Sequence, residues 1–450
     1  MKLQIKTLSP IHIGSGEKYN GLSYVQDKRQ TPIKLHYLEF EAIQKTLSPQ
    51  QLQSFGNWVV TERFPNLFKF LRNIVNDRNN SIANNFISKS LYKVDLLYKE
   101  DPQQRKFLGD IESFIKQSNK PYIPGTEIKG AIRTALIYHL LNTGNSYTWL
   151  RDELLKLQNK LKNTFSVLAV CGKRGNEFLT LSELKSISES EFKGIFGNKG
   201  TELYKKIQNG IDPKIKINSI KRSLIEKVGR IEEELQNRLF RANGKDDAKY
   251  DVLKMLHISD TELVEANKCL FVSSLNVANT KKRDREGNKT AEDIMLFQEL
   301  CKKDQIFTSD LRLENKSIIL DKLGFSPDQK SVISNADKIL QCCYEFSNRL
   351  LDEELEYQQY LTKVKDRLKA IKKENKPDSP VIRIGKNEGY LSLTMGLLVK
   401  DKDKTLYDNV LCHATKNTSY TGNFPKTRRI VNLGNGDVDT CGWVKLQIIT

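Results

Sequence analysis

Two cations four residues apart mark the stretch of the chain that is best suited to bind a phosphate. Lys129 and Arg133 follow a Pro124-Gly125 turn, and apolar residues recur around them at steps of three and four. This pattern predicts a helix that begins near Thr126, whose side chain is suited to accept a hydrogen bond from a free backbone N–H. Free N–H groups at a helix N-terminus next to two cations favour an anionic ligand. An ordinary capped amphipathic helix is the alternative that this stretch leaves open.

Three further segments combine glycines with hydroxyl or cationic side chains. They are residues 14–16, 383–390 and 425–436, and each offers backbone N–H groups that no large side chain covers. A protein that holds a nucleic-acid backbone without reading its sequence needs donors of this kind. We therefore expect these segments to fold into one groove. The predicted RNA-binding residues are Ser15, Gly16, Gly125, Thr126, Lys129, Arg133, Arg383, Gly385, Lys386, Gly389, Lys426, Arg428 and Arg429.

The histidines keep a catalytic hypothesis open. A metal-independent ribonuclease needs a general base within reach of a ribose 2′-hydroxyl and a cation near the scissile phosphate. His12 or His36, together with Lys129 or Arg133, would supply those groups, although their spacing does not show that they meet. The histidines are scattered, and no histidine or cysteine cluster has the spacing of metal ligands. We therefore predict neither a metal site nor a cofactor.

Charge and composition narrow the class of partner. The chain has 450 residues and a net charge of +18, an excess that attracts polyanions, nucleic acid first and an anionic membrane surface second. The N-terminus has no apolar core of signal-peptide length, and no apolar run reaches the roughly 18 residues of a membrane span. The seven cysteines include no CxxC pair, which favours reduced thiols. We expect a cytoplasmic protein of two or three domains.

Hydrophobic periodicity predicts an α+β chain in which strands and helices alternate. Helices are predicted over residues 37–98, over an insertion at about 146–245, and over residues 327–376. Strands are predicted at residues 3–13, 24–25, 33–35, 256–261 and 442–448, with an antiparallel meander at residues 269–277, 294–300 and 306–313. The basic loop 281–289 lies between the first two strands of the meander. It suits a soluble hairpin tip and an RNA contact equally well.

Several of these segments resemble the signatures of the RAMP proteins of CRISPR effector complexes. Residues 8–16 resemble the opening signature of that family, and residues 122–133 resemble its strongest internal signature. Residues 257–261 resemble an element that follows a strand, with Thr261 where a serine is usual. Residues 383–396, 425–429 and 442–446 are similar to the C-terminal half of the family that forms the fifth subunit of type III-A Csm complexes. The resemblance spans nearly the full length but is weak over residues 146–245.

The resemblance implies two ferredoxin-like domains of the RNA-recognition-motif kind, at residues 1–270 and 271–450, with the helical insertion in the first. It implies a non-catalytic RNA-binding subunit that caps the 3′ end region of the CRISPR RNA, beside the last backbone RAMP subunit. It further implies a role in RNA maturation through host nucleases, with no direct binding to DNA or membrane. Related backbone subunits cut RNA with an aspartate after their first strand. Asp27 is the nearest candidate here, but its surroundings do not match well enough to carry that role over.

Two other functions stay open at this point. The first is a metal-independent endoribonuclease, like the RAMP enzymes that process the CRISPR precursor. The second is a protein-only scaffold whose basic surface is incidental. The first predicts specific cuts in precursor RNA in the presence of EDTA, and the second predicts assembly with its partners in the absence of RNA.

Overall fold

A computed structural model gives the fold and describes residues 1–98, 108–173, 175–245, 247–283, 289–314, 317–415 and 424–449. The strands are β1 (Lys2–Thr7), β2 (Gly14–Tyr19), β3 (Tyr24–Asp27), β4 (Ile33–Tyr37), β5 (Tyr92–Leu96), β6 (Ile111–Phe114), β7 (Lys116–Gln117), β8 (Lys120–Pro121), β9 (Leu256–Ile258), β10 (Leu270–Arg283), β11 (Lys289–Cys301), β12 (Ile306–Leu313), β13 (Val381–Arg383), β14 (Arg428–Gly434), β15 (Asp437–Asp439) and β16 (Trp443–Ile449).

The α-helices occupy the connections between these strands. They are α1 (Phe40–Gln44), α2 (Pro49–Thr61), α3 (Leu67–Lys69), α4 (Ser81–Ser88), α5 (Gly125–Thr143), α6 (Ser146–Lys160), α7 (Lys162–Cys171), α8 (Leu181–Lys185), α9 (Glu189–Phe196), α10 (Asn198–Gln208), α11 (Ile217–Phe240), α12 (Ala266–Cys269), α13 (Ser317–Leu323), α14 (Pro327–Ser331), α15 (Ala336–Glu356), α16 (Thr362–Glu374), α17 (Tyr390–Leu393), α18 (Gly396–Lys402) and α19 (Lys404–Leu406). The predicted α+β class and the helical stretches at 146–245 and 327–376 are confirmed.

A five-stranded antiparallel sheet joins the two ends of the chain. Its order is β13-β16-β1-β12-β9. Strand β1 lies at its centre. Leu3 and Ile5 are fully buried, and this alternation fixes which face of β1 packs inward. The tetrapeptide Lys-Leu-Gln-Ile occurs in both β1 and β16, and the two copies pair with each other so that Gln4 lies opposite Gln447.

Four strands of this sheet have the order of a ferredoxin-like unit. Taken along the sheet, β16, β1, β12 and β9 are the fourth, first, third and second of the four in chain order. Helix α5 follows the first strand, α15 follows the third, and the two helices pack together. The second helix therefore crosses over the sheet next to the helix that carries Lys129 and Arg133.

The larger sheet has the order β2-β6-β11-β10-β5-β4-β3, and β14 and β15 extend it beside β10. Its β5–β10 and β6–β11 pairs are parallel and join early strands to late ones. Both sheets thus contain strands from both sides of residue 270. The predicted boundary at that residue does not follow the sheets, and the division into two domains stays a prediction.

The predicted meander is wrong at its third strand. Strands β10 and β11 form the expected antiparallel hairpin, but β12 pairs with β1 in the other sheet. Alternation shows which face of a strand is buried and says nothing about its partner, so the sequence could not separate these two arrangements. Residues 284–288 of the predicted basic loop lie outside the described residues.

Two local predictions in the N-terminal region also need correction. Residues 14–16, which follow the predicted strand 3–13, open a further strand, β2, which pairs with β6 across an irregular register between Gly14 and Lys18. A bulge of this kind accommodates Gly16 with its φ of +89°. The predicted helical region ends at Ser88, and residues 92–96 form β5, whose short alternating pattern was missed.

Helices α1 to α4 form a module with its own apolar core. The core consists of Val25, Leu38, Ile43, Leu47, Phe55, Leu67, Phe70, Leu71 and Phe86, and it packs these helices against β3 at the edge of the larger sheet. We call residues 38–88 the α1–α4 module. This core is separate from the main apolar core of the protein.

Candidate nucleic-acid interface

The turn before α5 is held by the residues that follow β9. Ile123 N–H donates to Thr261 Oγ1 at 2.9 Å, and Thr261 N–H donates back to the Ile123 carbonyl at 3.0 Å. A Cβ on Gly125 would lie 2.1 Å from the Ile258 carbonyl oxygen, so only glycine fits without displacing that backbone. The two signature segments that precede α5 and follow β9 therefore form one structural unit.

Thr126 does not cap α5, contrary to the prediction. The helix begins at Gly125 with Pro124 at the N-cap position, and no N-cap side chain bonds to its first turn. The carboxylate of Asp260 performs this role from a distant segment, because Asp260 Oδ1 accepts the Gly125 N–H at 2.9 Å. Thr126 is exposed on the first turn. Sequence spacing could not identify a cap that is supplied by another part of the chain.

Lys129 and Arg133 both have partners within the protein. Lys129 Nζ donates to the Leu256 carbonyl at 2.8 Å, and burial lowers the pKa of Lys129. Arg133 Nη2 lies 3.0 Å from Asp251 Oδ2, and its guanidinium lies over the ring of Phe240. These contacts fasten α5 to the segment before β9, as expected for an ordinary amphipathic helix. Binding of RNA phosphates by these two cations stays a prediction.

Arg383 and Arg428 lie in the interior, which corrects their predicted role as RNA ligands. Both are paired with the buried carboxylate of Glu354, Arg428 Nε at 2.7 Å and Arg383 Nη1 at 3.6 Å. Their exposed fractions are 4% and 6%. Burial acts to raise the pKa of Glu354, but the two guanidinium groups outweigh it and the pKa is lowered. The two arginines neutralise an internal charge and do not face solvent.

The loop after β13 packs against the segment that enters β2. Gly385 has a φ of +90°, and a Cβ there would lie 2.4 Å from the His12 carbonyl oxygen. Lys386 N–H donates to that same carbonyl at 2.9 Å. A Cβ on Gly14 would lie 3.3 Å from Nε2 of the same histidine, His12. Two of the predicted glycine segments are therefore direct neighbours.

The other two predicted segments reach the same place. Helix α5 packs against β13 and α17, which flank the loop, and the pKa of Glu388 responds to the carboxylate of Glu127. Arg429, the second residue of β14, donates from Nη1 to Asn387 Oδ1 at 3.0 Å. We call residues 14–18, 126–130 and 385–389, together with Arg429, the glycine-loop surface. The four glycine segments therefore lie near one another, and a single RNA-binding groove formed by them stays a prediction.

A polar network beneath this surface fixes its two exposed cations. Lys386 Nζ lies 2.7 Å from Glu112 Oε1, and its side chain is 48% exposed. Gln298 Nε2 donates to Glu112 Oε2 at 2.7 Å and accepts at Oε1 from Asn387 Nδ2 at 2.8 Å. Asn387 in turn holds Arg429. Burial acts to raise the pKa of Glu112, but Lys386 and Gln298 outweigh it, so the pKa is lowered and the carboxylate is ionised.

The backbone of this surface is open at its glycines. Gly16 and Gly389 are exposed at φ values of +89° and +84°, and a Cβ at either would meet nothing within 4 Å. Ser15 is also exposed, and its Oγ accepts the Glu17 N–H at 3.1 Å. Lys426 is half-buried, and its carbonyl accepts from Tyr357 Oη at 2.6 Å. An extended anionic chain can approach the backbone here more closely than over ordinary side chains.

In the described part of the chain, the candidate bases His12 and His36 do not contact the candidate cations Lys129 and Arg133. His12 is buried, its Nδ1 donates to the Glu299 carbonyl at 2.7 Å, and its Nε2 has no hydrogen-bond partner in the described chain. His36 Nδ1 lies 3.2 Å from Ser90 Oγ. Burial lowers the pKa of both imidazoles. Among the described contacts, neither histidine forms a hydrogen bond or ion pair with Lys129 or Arg133.

Both carboxylate oxygens of Asp27 accept hydrogen bonds from neighbouring side chains. Its Oδ1 accepts from Arg29 Nε at 2.8 Å, and its Oδ2 accepts from Gln30 Nε2 at 2.8 Å. The hydrogen bond from Arg29 is the main reason that the pKa of Asp27 falls to about 2. The described side chains form no group of three or more potential metal ligands. Within the same residues, no helix has the length and apolar character that a membrane crossing requires.

The chain belongs to the RAMP superfamily, whose family model matches residues 4–379. Within that superfamily it is similar to the CRISPR system Cms protein Csm5 of two organisms. It is 28% identical to the Streptococcus thermophilus protein over 138 residues, which is 30% of this chain and 37% of that protein. It is 26% identical to the Methanocaldococcus jannaschii protein over 266 residues, which is 57% of this chain and 60% of that protein. Neither match reaches two thirds of the relative's length.

Two solved structures share the fold over nearly the whole chain. One is a chain of the cryo-EM Csm–crRNA–target RNA ternary complex of a type III-A CRISPR-Cas system. It has a TM-score of 0.64 and 18% identity, and the match covers 99% of this chain and 100% of that one. The other is the crystal structure of Csm5 from T. onnurineus, with a TM-score of 0.56, 18% identity and coverages of 98% and 99%. The resemblance to CRISPR RAMP proteins, and to Csm5 in particular, is confirmed.

Sequence reasoning missed the network that positions the surface cations. Glu112 and Gln298 lie on β6 and β11, far apart in the chain, and both are buried. The available signal was a charged or amide residue inside an apolar strand, because such a residue is usually paired when it is buried. That signal marks a buried polar group but does not identify its partners.

Proposed function

We propose that this protein is a non-catalytic RNA-binding subunit of a type III-A Csm effector complex. It caps the 3′ end region of the CRISPR RNA and supports maturation of that RNA by host nucleases. Its partners are the CRISPR RNA and other Csm subunits, above all the neighbouring backbone RAMP subunit, and it acts in the cytoplasm without binding DNA directly. The observation that carries this proposal is the meeting of the glycine segments on one face, with Lys386 and Arg429 fixed there.

This arrangement suits the RNA backbone because phosphates dominate the affinity of such interfaces and need fixed positive charge. Lys386 and Arg429 are held in place by Glu112 and Asn387 and stay exposed to solvent. A protein that fixes its cations before binding loses less side-chain entropy when the RNA arrives. Exposed glycines beside them admit the backbone closely and impose no base preference. The surface therefore fits sequence-independent binding.

The proposal also includes the division of the fold into two domains. The order β16-β1-β12-β9 supports one ferredoxin-like unit, to which both ends of the chain contribute. A second unit of the same kind, the two-domain arrangement with its boundary near residue 270, is part of what we infer from the RAMP membership. Separate expression of residues 1–270 tests the boundary. A fragment that unfolds cooperatively would support the boundary, whereas failure to fold would count against it, because β1 pairs with β12 and β16.

One observation favours an endoribonuclease as the second candidate. His12 Nε2 has no hydrogen-bond partner among the described residues, and it lies 3.9 Å from Glu112 Oε2 directly beside the glycine-loop surface. A ribonuclease would use it as a general base, but the His12 side chain is sealed from solvent. Incubation of the protein with labelled precursor RNA in EDTA separates the two functions. Specific cuts that disappear in His12→Ala would contradict the non-catalytic proposal.

The salt dependence of RNA binding tests the surface itself. The variant Lys386→Gln/Arg429→Gln removes both surface cations, and each phosphate contact contributes roughly 0.7 to the slope of log affinity against log salt for a single strand. The double variant should therefore bind a CRISPR RNA 3′ fragment more weakly and flatten the slope by about 1.4. Fluorescence anisotropy over a salt series measures both effects.

A matched control removes the same charge elsewhere. Lys205 and Lys206 are exposed on α10 in the helical region, so Lys205→Gln/Lys206→Gln changes the net charge equally without touching the glycine-loop surface. We expect this variant to keep nearly the wild-type slope. Equal loss in both double variants would mean that only overall charge matters, and it would count against the proposed surface.

The position of the RNA end is tested in the assembled complex. A photoreactive uridine placed near the 3′ end of the CRISPR RNA should crosslink to peptides that contain residues 14–18 or 385–389. A matched RNA with the same label near its 5′ end should not. Crosslinks from the 5′ label alone would contradict the 3′ capping role while leaving RNA binding intact.

A further inference from the structure

A cleft lies on the α1–α4 module, next to the C-terminal end of β3. It has a volume of about 660 Å³. We call it the β3 cleft, and its lining includes Gln26, Asp27, Lys28, Phe68, Arg72 and Asn84. Strand β3 is one edge of the larger sheet and β2, which carries part of the glycine-loop surface, is the other. At about 4.8 Å per strand, the two edges are roughly 29 Å apart along the sheet.

An exposed aromatic ring forms one wall of this cleft. Leu67 and Phe70 on either side of Phe68 are fully buried and anchor the turn, whereas Phe68 is 39% exposed. Lys28 Nζ lies 4.5 Å from the centroid of the Phe68 ring, and the Arg72 guanidinium carbon lies 6.0 Å from it. An aromatic face next to cations is the arrangement by which proteins stack unpaired bases and hold their phosphates.

The charge of the lining is positive. Four cationic residues line it, Lys28, Arg29, Arg72 and Arg78, against the two carboxylates of Asp27 and Asp77. Both carboxylates already accept hydrogen bonds within the protein, Asp27 from Arg29 and Gln30, and Asp77 from the Ala83 N–H at 2.9 Å. The excess cations therefore favour an anionic ligand.

Amide groups supply the remaining polar lining. Gln26 Oε1 is buried and has no hydrogen-bond donor among the described residues. Asn73, Asn80 and Asn84 add side chains that both donate and accept, as the edges of nucleobases do. The turn that carries them is irregular, since Phe70–Ile74 is a π turn and Asn80 has a φ of +54°. Local departures of this kind cluster at binding sites.

We propose that the β3 cleft binds one unpaired nucleotide of a single-stranded RNA. The base stacks on Phe68, the phosphate lies near Lys28 and Arg72, and the amides contact the edge of the base. One ligand thereby meets the aromatic face, the positive charge and the amide side chains of the lining. The inference rests on the proposed function and deepens it, because it adds a base-stacking contact to the backbone contacts of the glycine-loop surface.

Two variants of the full-length protein separate stacking from charge. Phe68→Ala should weaken binding of a single-stranded RNA of about 16 nucleotides by about fivefold or more, the lower limit for loss of one stacked base, and leave the salt slope unchanged. Arg72→Gln should weaken binding and flatten that slope by about 0.7. Phe68→Tyr keeps an aromatic face and should restore affinity, whereas Phe68→Leu, which keeps apolar bulk, should not.

The same module provides matched controls outside the cleft. Phe64 is 67% exposed with the Arg63 guanidinium 5.2 Å from its ring, and neither residue lines the cleft. Phe64→Ala and Arg63→Gln should therefore leave RNA affinity within about twofold, as surface substitutions usually do. Unchanged urea unfolding of each variant shows that any loss of affinity is local.

The outcomes distinguish this inference from the proposed function. If Phe68→Ala binds RNA like the wild type while Lys386→Gln/Arg429→Gln is impaired, the β3 cleft proposal is overturned and the glycine-loop surface stands. If neither set changes RNA binding, both fail. If Phe68→Ala weakens association with the neighbouring subunit and leaves RNA affinity intact, the cleft is a protein-docking site and the nucleotide proposal is overturned.

Discussion

Glu388 provides a direct test of the electrostatics at the glycine-loop surface. Glu388 is 7% exposed and lies in residues 385–389 of that surface, close to α5. Burial raises the pKa of Glu388 to about 8, Glu127 adds to the rise, and Arg383 opposes it. At neutral pH the group is therefore mostly protonated, and it does not repel a phosphate on the adjoining surface. Glu388→Gln mimics that neutral form at every pH.

The sign of the effect follows from proton linkage. The ordinary value is 4.5 and the folded value is about 8, so the folded protein binds this proton more tightly than the unfolded chain does. The resulting stability is fully present below pH 4.5 and is lost as the pH rises through about 8. At 1.36 kcal/mol per pKa unit, the loss is on the order of 5 kcal/mol at the alkaline limit.

Urea unfolding of the wild type and Glu388→Gln between about pH 5 and about pH 9 measures this loss. The variant should gain in free energy of unfolding relative to the wild type as the pH rises. Glu127→Gln, the matched control, lowers the pKa of Glu388 by removing a like charge, so the wild-type loss should shrink. RNA affinity should fall above pH 8 in the wild type and not in Glu388→Gln. Parallel stability curves for the two proteins would refute the reasoning.

Two further pairs of substitutions test the packing that positions the surface. Gly125→Ala should destabilise the protein by about 1–3 kcal/mol or more, because its Cβ would meet the Ile258 carbonyl. At Gly130 a Cβ would meet nothing within 4 Å, so Gly130→Ala should stabilise the protein by about 0.5–1 kcal/mol. Arg428→Met leaves Glu354 buried with one partner fewer and should cost about 3–5 kcal/mol. The exposed neighbour Arg429→Met removes one hydrogen bond to Asn387 and should cost only about 0.5–1.5 kcal/mol. Urea unfolding checks both pairs, and equal effects within either pair would contradict the assigned burial.

The sequence predicted which segments meet better than it predicted which side chains face solvent. Glycines at positions such as 125 and 385 are needed where backbones approach closely, so they correctly marked the points of contact. A cation near a glycine carries no such information, because the same charge serves a buried ion pair or an exposed phosphate site. Lys129, for example, bonds to a main-chain carbonyl of the segment it packs against.

One signal for the burial of Arg383 and Arg428 was present and was missed. Phe346, Leu350 and Glu354 are spaced four apart on α15, so Glu354 continues an apolar face. A carboxylate in that position needs a cationic partner, because an isolated buried charge is costly. The sequence contains more cations than acids, so it could not show which ones pair with Glu354.

The direction of three strands explains why distant glycine segments share one face. In the five-stranded sheet, β13 and β1 are each antiparallel to β16, and β9 and β1 are each antiparallel to β12. Strands β13, β1 and β9 therefore run parallel to one another, and their C-terminal ends lie at the same end of the sheet. The loop with Gly385, the segment with Gly14 and the residues that hold Gly125 leave from those ends. Such a surface depends on strand order, which is why short motifs locate its parts and only the topology unites them.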